Sequence, residues 1–407
     1  MSVHLENTSS SAINIAISGE RFRQGSSAIG RVLTLIVVAD ETTQSDAVLA
    51  AVRASREHPC RILLAVARPG KQAARLDAEV SVGGADGLGE VVKLRMRGEL
   101  AQHTDSVLLP LLVPDAPVVA WWPGDAPAVP ALDPIGRLAQ RRITDANAGS
   151  RPLAALSARQ AGYRGGDTDL AWTRTTPWRA LIASSLDQPY DQILGGTVEV
   201  QKSNPSGSLL AAWLQHFLQV PIELVSSKGP GVTAVTLTTV RGDMTISRPD
   251  GRVAIMSRPG SPDREAALHR RGIEDLIMEE LRRLDADEIY GVTLGALGAT
   301  APKAPKPRRV NVASRPDERA AIEQHVPEAP SVEPVIIAPA VSSSTRKKSA
   351  ARKLPAASKK SATKSAAAPQ RARKKSAARQ LPAAPKKSTT KSAAAPQRAR
   401  NKSATTN

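Results

Sequence analysis

The sequence has 407 residues, 41% of them hydrophobic, which is enough for roughly two or three domains with real cores. Its net charge of +18 is unevenly placed: 19 of the 56 Lys and Arg lie between Val341 and Asn407, where no Asp or Glu occurs, and the preceding 340 residues carry 37 basic against 38 acidic side chains. A body that grips nucleic acid through overall charge is therefore excluded, and the single cysteine, Cys60, excludes a disulfide within the sequence. No apolar run reaches the 18 or so residues of a membrane span, and the N-terminus lacks the basic and apolar regions of a signal peptide, so a cytoplasmic protein with no membrane partner is expected.

In chain order, residues 1–27 read as a polar arm. Arg31–Asp40 is a nearly continuous run of branched apolar residues, the pattern of a strand covered on both faces. Thr43–Arg56 reads as a helix with Ala47, Val48, Ala51 and Val52 on one stripe, and Arg61–Ala67 as a second buried strand. Cys60, just before it, is expected to pack as a small apolar residue. Gly83–Gly89 is a glycine-rich turn. Val91–Arg97 alternates, with Val92, Leu94 and Met96 inward and Lys93, Arg95 and Arg97 outward, which suits a half-exposed strand at a sheet edge. A helix over Thr104–Leu112 leads to a strand at Pro117–Trp122. Asp133-Pro134 carries a helix start, a capping Asp followed by Pro at the first helical position.

The second half has a different texture. Thr176-Pro177 starts a helix that stops before Pro189, and Ser208 begins another, ended by Pro221. Strand-like runs follow at Ile222–Ser226, Val232–Val240, Met244–Ser247 and Val253–Ser257, with a turn signal at Arg248-Pro249-Asp250-Gly251. Ser261-Pro262 is expected to open a long helix bearing Ile273, Leu276, Ile277, Leu281 and Leu284, and Asp287 to cap a last one. The fold class that results is an α/β N-terminal domain over 28–150, a mostly parallel sheet with flanking helices, plus a smaller α+β domain over 151–300. Residues 301–407 collapse to Lys, Ala, Pro and Ser, and residues 351–404 repeat with period 27. The repeat has no apolar face to bury, so this segment is expected to be disordered.

A search for chemistry finds no constellation. The six histidines form no H-x-x-x-H pair, and neither a G-x-S-x-G elbow nor a P-loop occurs. Gly83–Gly89 does not follow G-x-G-x-x-G. No catalytic residue, metal site or cofactor is expected. Ser247-Arg248-Pro249 and Ser257-Arg258-Pro259 would bring two guanidinium groups together at hairpin ends, as an anion site or as plain solvated charge. Trp121, Trp122, Trp172 and Trp178 are four of the five tryptophans, held within 58 residues. Trp121-Trp122-Pro123-Gly124-Asp125 falls at a strand end, where adjacent side chains point to opposite faces. One indole would pack inward and the other would meet a second domain or another chain. The candidate contact residues are Trp121, Trp122, Pro123, Gly124, Asp125, Asp167, Asp169, Trp172 and Arg174, with core packing as the competing reading.

Several stretches carry a resemblance: GRVLTLIV (30–37), SREHPCRILLAV (55–66), DSVLLPLLVPDAPVVAWWPGDAP (105–127), DPIGRLAQRRITDA (133–146), GDTDLAWTRTTPWRALIASSLDQP (166–189) and LRRLDADEIY (281–290). Together they resemble the OpcA family of bacterial glucose-6-phosphate dehydrogenase assembly proteins, over roughly residues 28–298. The resemblance implies a non-catalytic partner of the oligomeric dehydrogenase, one that promotes its active assembly and raises its apparent affinity for glucose 6-phosphate in the oxidative pentose phosphate pathway. Some members respond to redox state through cysteines; with Cys60 alone, an internal dithiol switch is excluded here. Two other readings stay open: a nucleotide-binding α/β protein, and a nucleic-acid-associated protein acting through the tail. In the latter, Lys347, Lys348, Lys359, Lys360, Arg373, Lys374, Lys375, Lys386 and Lys387 would attract a polyanion without sequence specificity.

Overall fold

The computed structural model describes residues 2–24, 32–84, 87–300 and 302–306. Two sheets, of eight and six strands, share one compact unit, Met1–Ala321; the second unit, Ile322–Asn407, and the repeat expected to be disordered lie outside the described residues.

The chain opens with strand β1 (Ser2–Leu5) and helix α1 (Ser10–Arg23), where the Ser9 hydroxyl accepts the Ala12 N–H as N-cap. The branched apolar runs form β2 (Leu33–Ala39) and β3 (Cys60–Arg68), joined by α2 (Gln44–Ala54). Their continuous hydrophobicity is explained by cover on both sides. Leu35, Val37, Ile62 and Leu64 cluster with Ala47, Ala50 and Ala51 of α2, while Ile36 and Leu63 cluster with Ile13 and Ile17 of α1.

Next come β4 (Arg75–Gly84) and β5 (Gly87–Arg97), an antiparallel pair absent from the sequence reading except for its second strand. Val92, Leu94 and Met96 are buried as expected, but β5 is not an edge: it runs between β4 and a parallel β3. Two of the outward charges meet opposite charges on β4 while staying partly in water, Lys93 pairing with Glu79 at 3.2 Å and Arg97 with Asp77 at 3.8 Å. The edge is β1, which pairs with β4.

The remaining first-sheet strands are short. Helix α3 (Thr104–Leu108) precedes β6 (Val118–Trp121), and α4 (Pro134–Leu138) is capped by Asp133, which accepts the Ile135 and Gly136 N–H groups. Then follow β7 (Arg141–Thr144), α5 (Pro152–Gly162), β8 (Asp167–Asp169), α6 (Leu170–Thr173) and α7 (Thr176–Leu186). The sheet order is β1-β4-β5-β3-β2-β6-β7-β8. Its six parallel strands therefore follow the order 3-2-1-4-5-6 of a doubly wound dinucleotide-binding sheet, with the switch point between β2 and β6. The sheet reaches back into the expected arm through β1 and past residue 150 through β8.

The second sheet comprises β9 (Ile193–Gln201), the crossover helix α8 (Pro205–Leu218), a parallel β10 (Ile222–Ser227), then β11 (Val232–Thr239), β12 (Gly242–Ser247), β13 (Val253–Arg258) and β14 (Ser261–Ala267) in an antiparallel meander. The long helix expected from Ser261 does not form. Gly260, at φ +73°, turns the chain back so that Arg258 pairs with Ser261, and Pro262 is tolerated because β14 is an edge. Only where the helical period of apolar residues begins does helix α9 (Ile273–Arg282) start. Leu276, Ile277 and Leu281 return it to the core beneath the first sheet, beside α2. The last helix, α10 (Glu288–Gly295), is capped by Asp287 as expected.

Candidate contact surface at the carboxyl ends of the parallel strands

In a doubly wound sheet, ligands and partners meet the loops beyond the carboxyl ends of the strands, at the switch point. Here the turn after β2 reads Asp40-Glu41-Thr42-Thr43 and contains no glycine. The Asp40 carboxylate accepts the Thr42 and Thr43 N–H groups, both at 2.8 Å, and both hydroxyls, at 2.7 and 2.9 Å. The Thr42 hydroxyl first, then the Thr43 N–H, hold its pKa down at about 2. In a dinucleotide site the first turn is glycine-rich and its N–H groups face a pyrophosphate. In this chain those donors serve a resident carboxylate, whose charge repels a second anion. Glu41 adds another negative charge and pairs with Arg68 at the end of β3.

Beyond β6, the adjacent indoles do point to opposite faces, but both faces are covered. Trp121 packs with α2 and α9, Trp122 with α1, α3 and α4, and their exposures are 0% and 2%. The Trp121 indole N–H has no hydrogen-bond partner. What emerges is the loop that follows: Pro123 and Gly124 half-buried, Asp125 exposed. A Cβ on Gly124 would stand 3.7 Å from the Thr43 methyl, so this loop leans over the β2 turn. Arg159 of α5, buried, fixes the segment by donating to the carbonyls of Ala126 at 3.1 Å, Ala128 at 3.0 Å, and Pro127. Burial lowers the pKa of this guanidinium. The sequence reading missed Arg159, which looks like an ordinary helix-surface charge.

The second expected segment is structural. Asp167 is buried against Arg142. Asp169, fully buried, accepts the Ala146 and Ala171 N–H groups at 3.0 and 2.8 Å and the Thr144 hydroxyl at 2.6 Å; burial, then the Asp145 charge, raise its pKa. Arg174 forks onto Asp145 at 2.7 and 2.8 Å. Trp172, 1% exposed, lies under the Arg179 guanidinium, 3.6 Å from the ring centre. Burial brings the Arg179 pKa down to about 10 despite nearby Asp287, Glu279 and Glu280. Trp178 is also buried. The four indoles therefore hold the fold, and of the expected contact residues Pro123, Gly124, Asp125 and Arg174 retain access to solvent.

The two Ser-Arg-Pro arginines do not meet. Thr245 faces Ser257 and Ser247 faces Ile255, which places Arg248 and Arg258 about 13 Å apart, near opposite ends of β13. Arg258 donates to Gln188 Oε1 at 2.8 Å and to the Pro189 carbonyl at 2.5 Å. Arg248 instead lies near Arg270, beside a cleft of about 470 Å³. Cys60 is fully buried and its thiol is pushed up to about 12 by burial. Among the described residues, no group of three His, Cys, Asp or Glu is placed to hold a metal ion, and no helix is long and apolar enough to cross a membrane. The tail cations from Lys347 to Lys387 lie outside the described residues.

Two family profiles match the chain in succession: the glucose-6-phosphate dehydrogenase subunit N-terminal domain of OpcA over residues 51–161, and the corresponding C-terminal domain over residues 165–294. The chain belongs to the OpcA family. No curated protein matches it. Among solved structures, the chain is similar to a 3-ketoreductase from Actinomadura kijaniata, KijD10, at 10% identity over 65% of this chain and 95% of that one, with a TM-score of 0.37. It is likewise similar to glucose-6-phosphate 1-dehydrogenase from Mycobacterium avium (9% identity, 66% and 91% covered, TM-score 0.39). A putative oxidoreductase from Klebsiella pneumoniae matches at 9% identity over 72% of this OpcA chain and 99% of its own, with a TM-score of 0.36.

Proposed function

We propose that this OpcA chain is a non-catalytic assembly partner and allosteric activator of glucose-6-phosphate dehydrogenase, acting in the cytoplasm on the oxidative pentose phosphate pathway. The observation that carries this reading is the unbroken succession of the two family domains over residues 51–294. The occupied β2 turn supports it, because a doubly wound sheet whose first turn is filled by its own carboxylate is suited to contact rather than to hydride transfer. Such a partner acts only through unequal affinity for the enzyme's states. The contact surface we assign is the rim at the carboxyl ends of the parallel strands: Pro123, Gly124 and Asp125 after β6, and Arg174 after α6.

The experiment is a titration of a cognate dehydrogenase with the purified chain, reading oligomer distribution and half-saturation by glucose 6-phosphate. A shift in either supports the reading; an enzyme whose oligomer and kinetics are both unmoved at saturating chain overturns it.

A further inference from the structure

We propose that the cleft bordered by Arg248 and Arg270 binds a phosphorylated polyhydroxy metabolite of sugar size. It lies where the ends of β9, β11 and β12 meet the loops after β7 and α6, and its volume of about 470 Å³ is that of a small-molecule site. Four arginines line it, Arg174, Arg248, Arg270 and Arg271, together with His269, and no Asp or Glu does.

Two of those cations are already balanced: Asp145 holds Arg174, and Glu279 holds Arg271. The other two form no salt bridge among the described residues. Arg248 is 8% exposed, and among the described residues its guanidinium donates to the carbonyls of Val232, at 2.8 Å, and Leu268, at 3.2 Å. Its guanidinium lies 5.1 Å from the centre of the Trp178 ring. Arg270 is exposed and engages no carboxylate among the described residues. A buried cation without an ion-pair partner is costly, and here a second cation stands beside it, whose field outweighs that of Asp250. Burial first, then the Arg270 charge, lower the Arg248 pKa. A phosphoryl dianion would neutralise both, using N–H groups that Arg248 leaves unspent.

The rest of the lining selects the body of the ligand. Asn147, Gln201 and Asn204 bring carboxamides and Ser206 a hydroxyl, groups that pair with the hydroxyls of a polyol. The Trp178 indole offers no face to a nucleobase, being 2% exposed beneath Arg248. The volume exceeds what inorganic phosphate would fill. Arg270 lies close to the backbone at Gly231: this glycine has φ +69°, and a Cβ there would stand 3.2 Å from the Arg270 guanidinium.

This proposal goes beyond the partnership with a dehydrogenase and is tested without that enzyme, so either can fail alone. The full chain is titrated calorimetrically with glucose 6-phosphate, glucose, inorganic phosphate and ATP. We expect glucose 6-phosphate to bind, glucose not to, and phosphate and ATP to bind roughly tenfold more weakly or not at all. Arg270→Ala, a surface change compatible with the fold, is expected to weaken binding about tenfold, and Gly231→Ala to do so by displacing the same guanidinium. No binding of glucose 6-phosphate overturns the proposal. Equal affinity for inorganic phosphate, tighter binding of ATP, or an unchanged affinity in the folded Arg270→Ala protein would overturn it as well.

Discussion

Trp172 donates its indole N–H to the Asp287 carboxylate at 2.8 Å, and the same carboxylate caps α10 by accepting the Tyr290 N–H at 2.9 Å. One side chain thus ties the edge of the first sheet to the last helix. Asp287→Ala removes a cap, about 1 kcal/mol, and strands a buried indole donor, about 1–3 kcal/mol, so a loss of roughly 2–4 kcal/mol is expected. Urea unfolding measures it. A loss below about 0.5 kcal/mol would mean that neither bond matters in solution.

Glu280 of α9 binds Arg141 of β7 at 2.6 Å and the Thr173 hydroxyl at 2.6 Å, with all three buried. Removing the acid leaves a buried guanidinium unpaired. Glu280→Ala is expected to cost about 3–5 kcal/mol, more than Glu280→Gln, whose one carbonyl oxygen can still accept from Arg141 while its NH2 donates to the Thr173 hydroxyl, turned to accept. Comparable unfolding midpoints for the two variants would contradict this.

The buried indoles and the exposed loop make separable predictions. Trp121→Ala and Trp122→Ala should each cost about 3–5 kcal/mol in stability, as large core truncations do. Asp125→Lys should leave stability within about 0.5 kcal/mol while weakening association with the dehydrogenase. Light scattering and surface plasmon resonance on the three variants distinguish the roles. Full-strength association by a folded Asp125→Lys protein would move the contact elsewhere.

Asp40 predicts a pH dependence. Its folded pKa of about 2 lies below the ordinary value of 3.8, so the folded state holds the proton less tightly. Its contribution is complete above pH ~4 and is lost as the pH falls from about 4 to about 2. The stability gap between the wild type and Asp40→Asn should therefore be constant above pH ~5 and narrow below ~4. A gap that widens on acidification would have the wrong sign.

Cys60, fully buried with its thiol at about 12, should resist alkylation in the native protein and react fully in denaturant. Mass spectrometry after timed iodoacetamide exposure reads this directly. Rapid native labelling would show that β3 opens.

Much of this was legible in the chain itself. Apolar runs announced β2 and β3, and Asp-Pro and Asp caps announced α4 and α10. Strands β7 and β8 were not, because RRIT and DTD carry neither an apolar run nor an alternation. Their charges are buried only because Glu280 and Asp167 find Arg141 and Arg142 across distances that no local pattern encodes. Strand β9 was hidden by its Gly195-Gly196 pair, which looks like a breaker; a Cβ on Gly196 would stand 2.5 Å from the Thr236 carbonyl oxygen, so the position needs a residue without one. The indole cluster was visible, its burial was not: the alternation that sends Trp121 and Trp122 apart says nothing about what covers each face. Nor does sequence spacing bring Arg248 to Arg270, which the ends of two strands do.

The turn after β2 has a last consequence. By supplying its own negative group, the turn occupies the N–H donors that a dinucleotide's pyrophosphate takes in doubly wound sheets. Swings in the ratio of oxidised to reduced nicotinamide should leave this chain's shape unmoved, and in the proposed complex a response to that ratio would enter through the dehydrogenase.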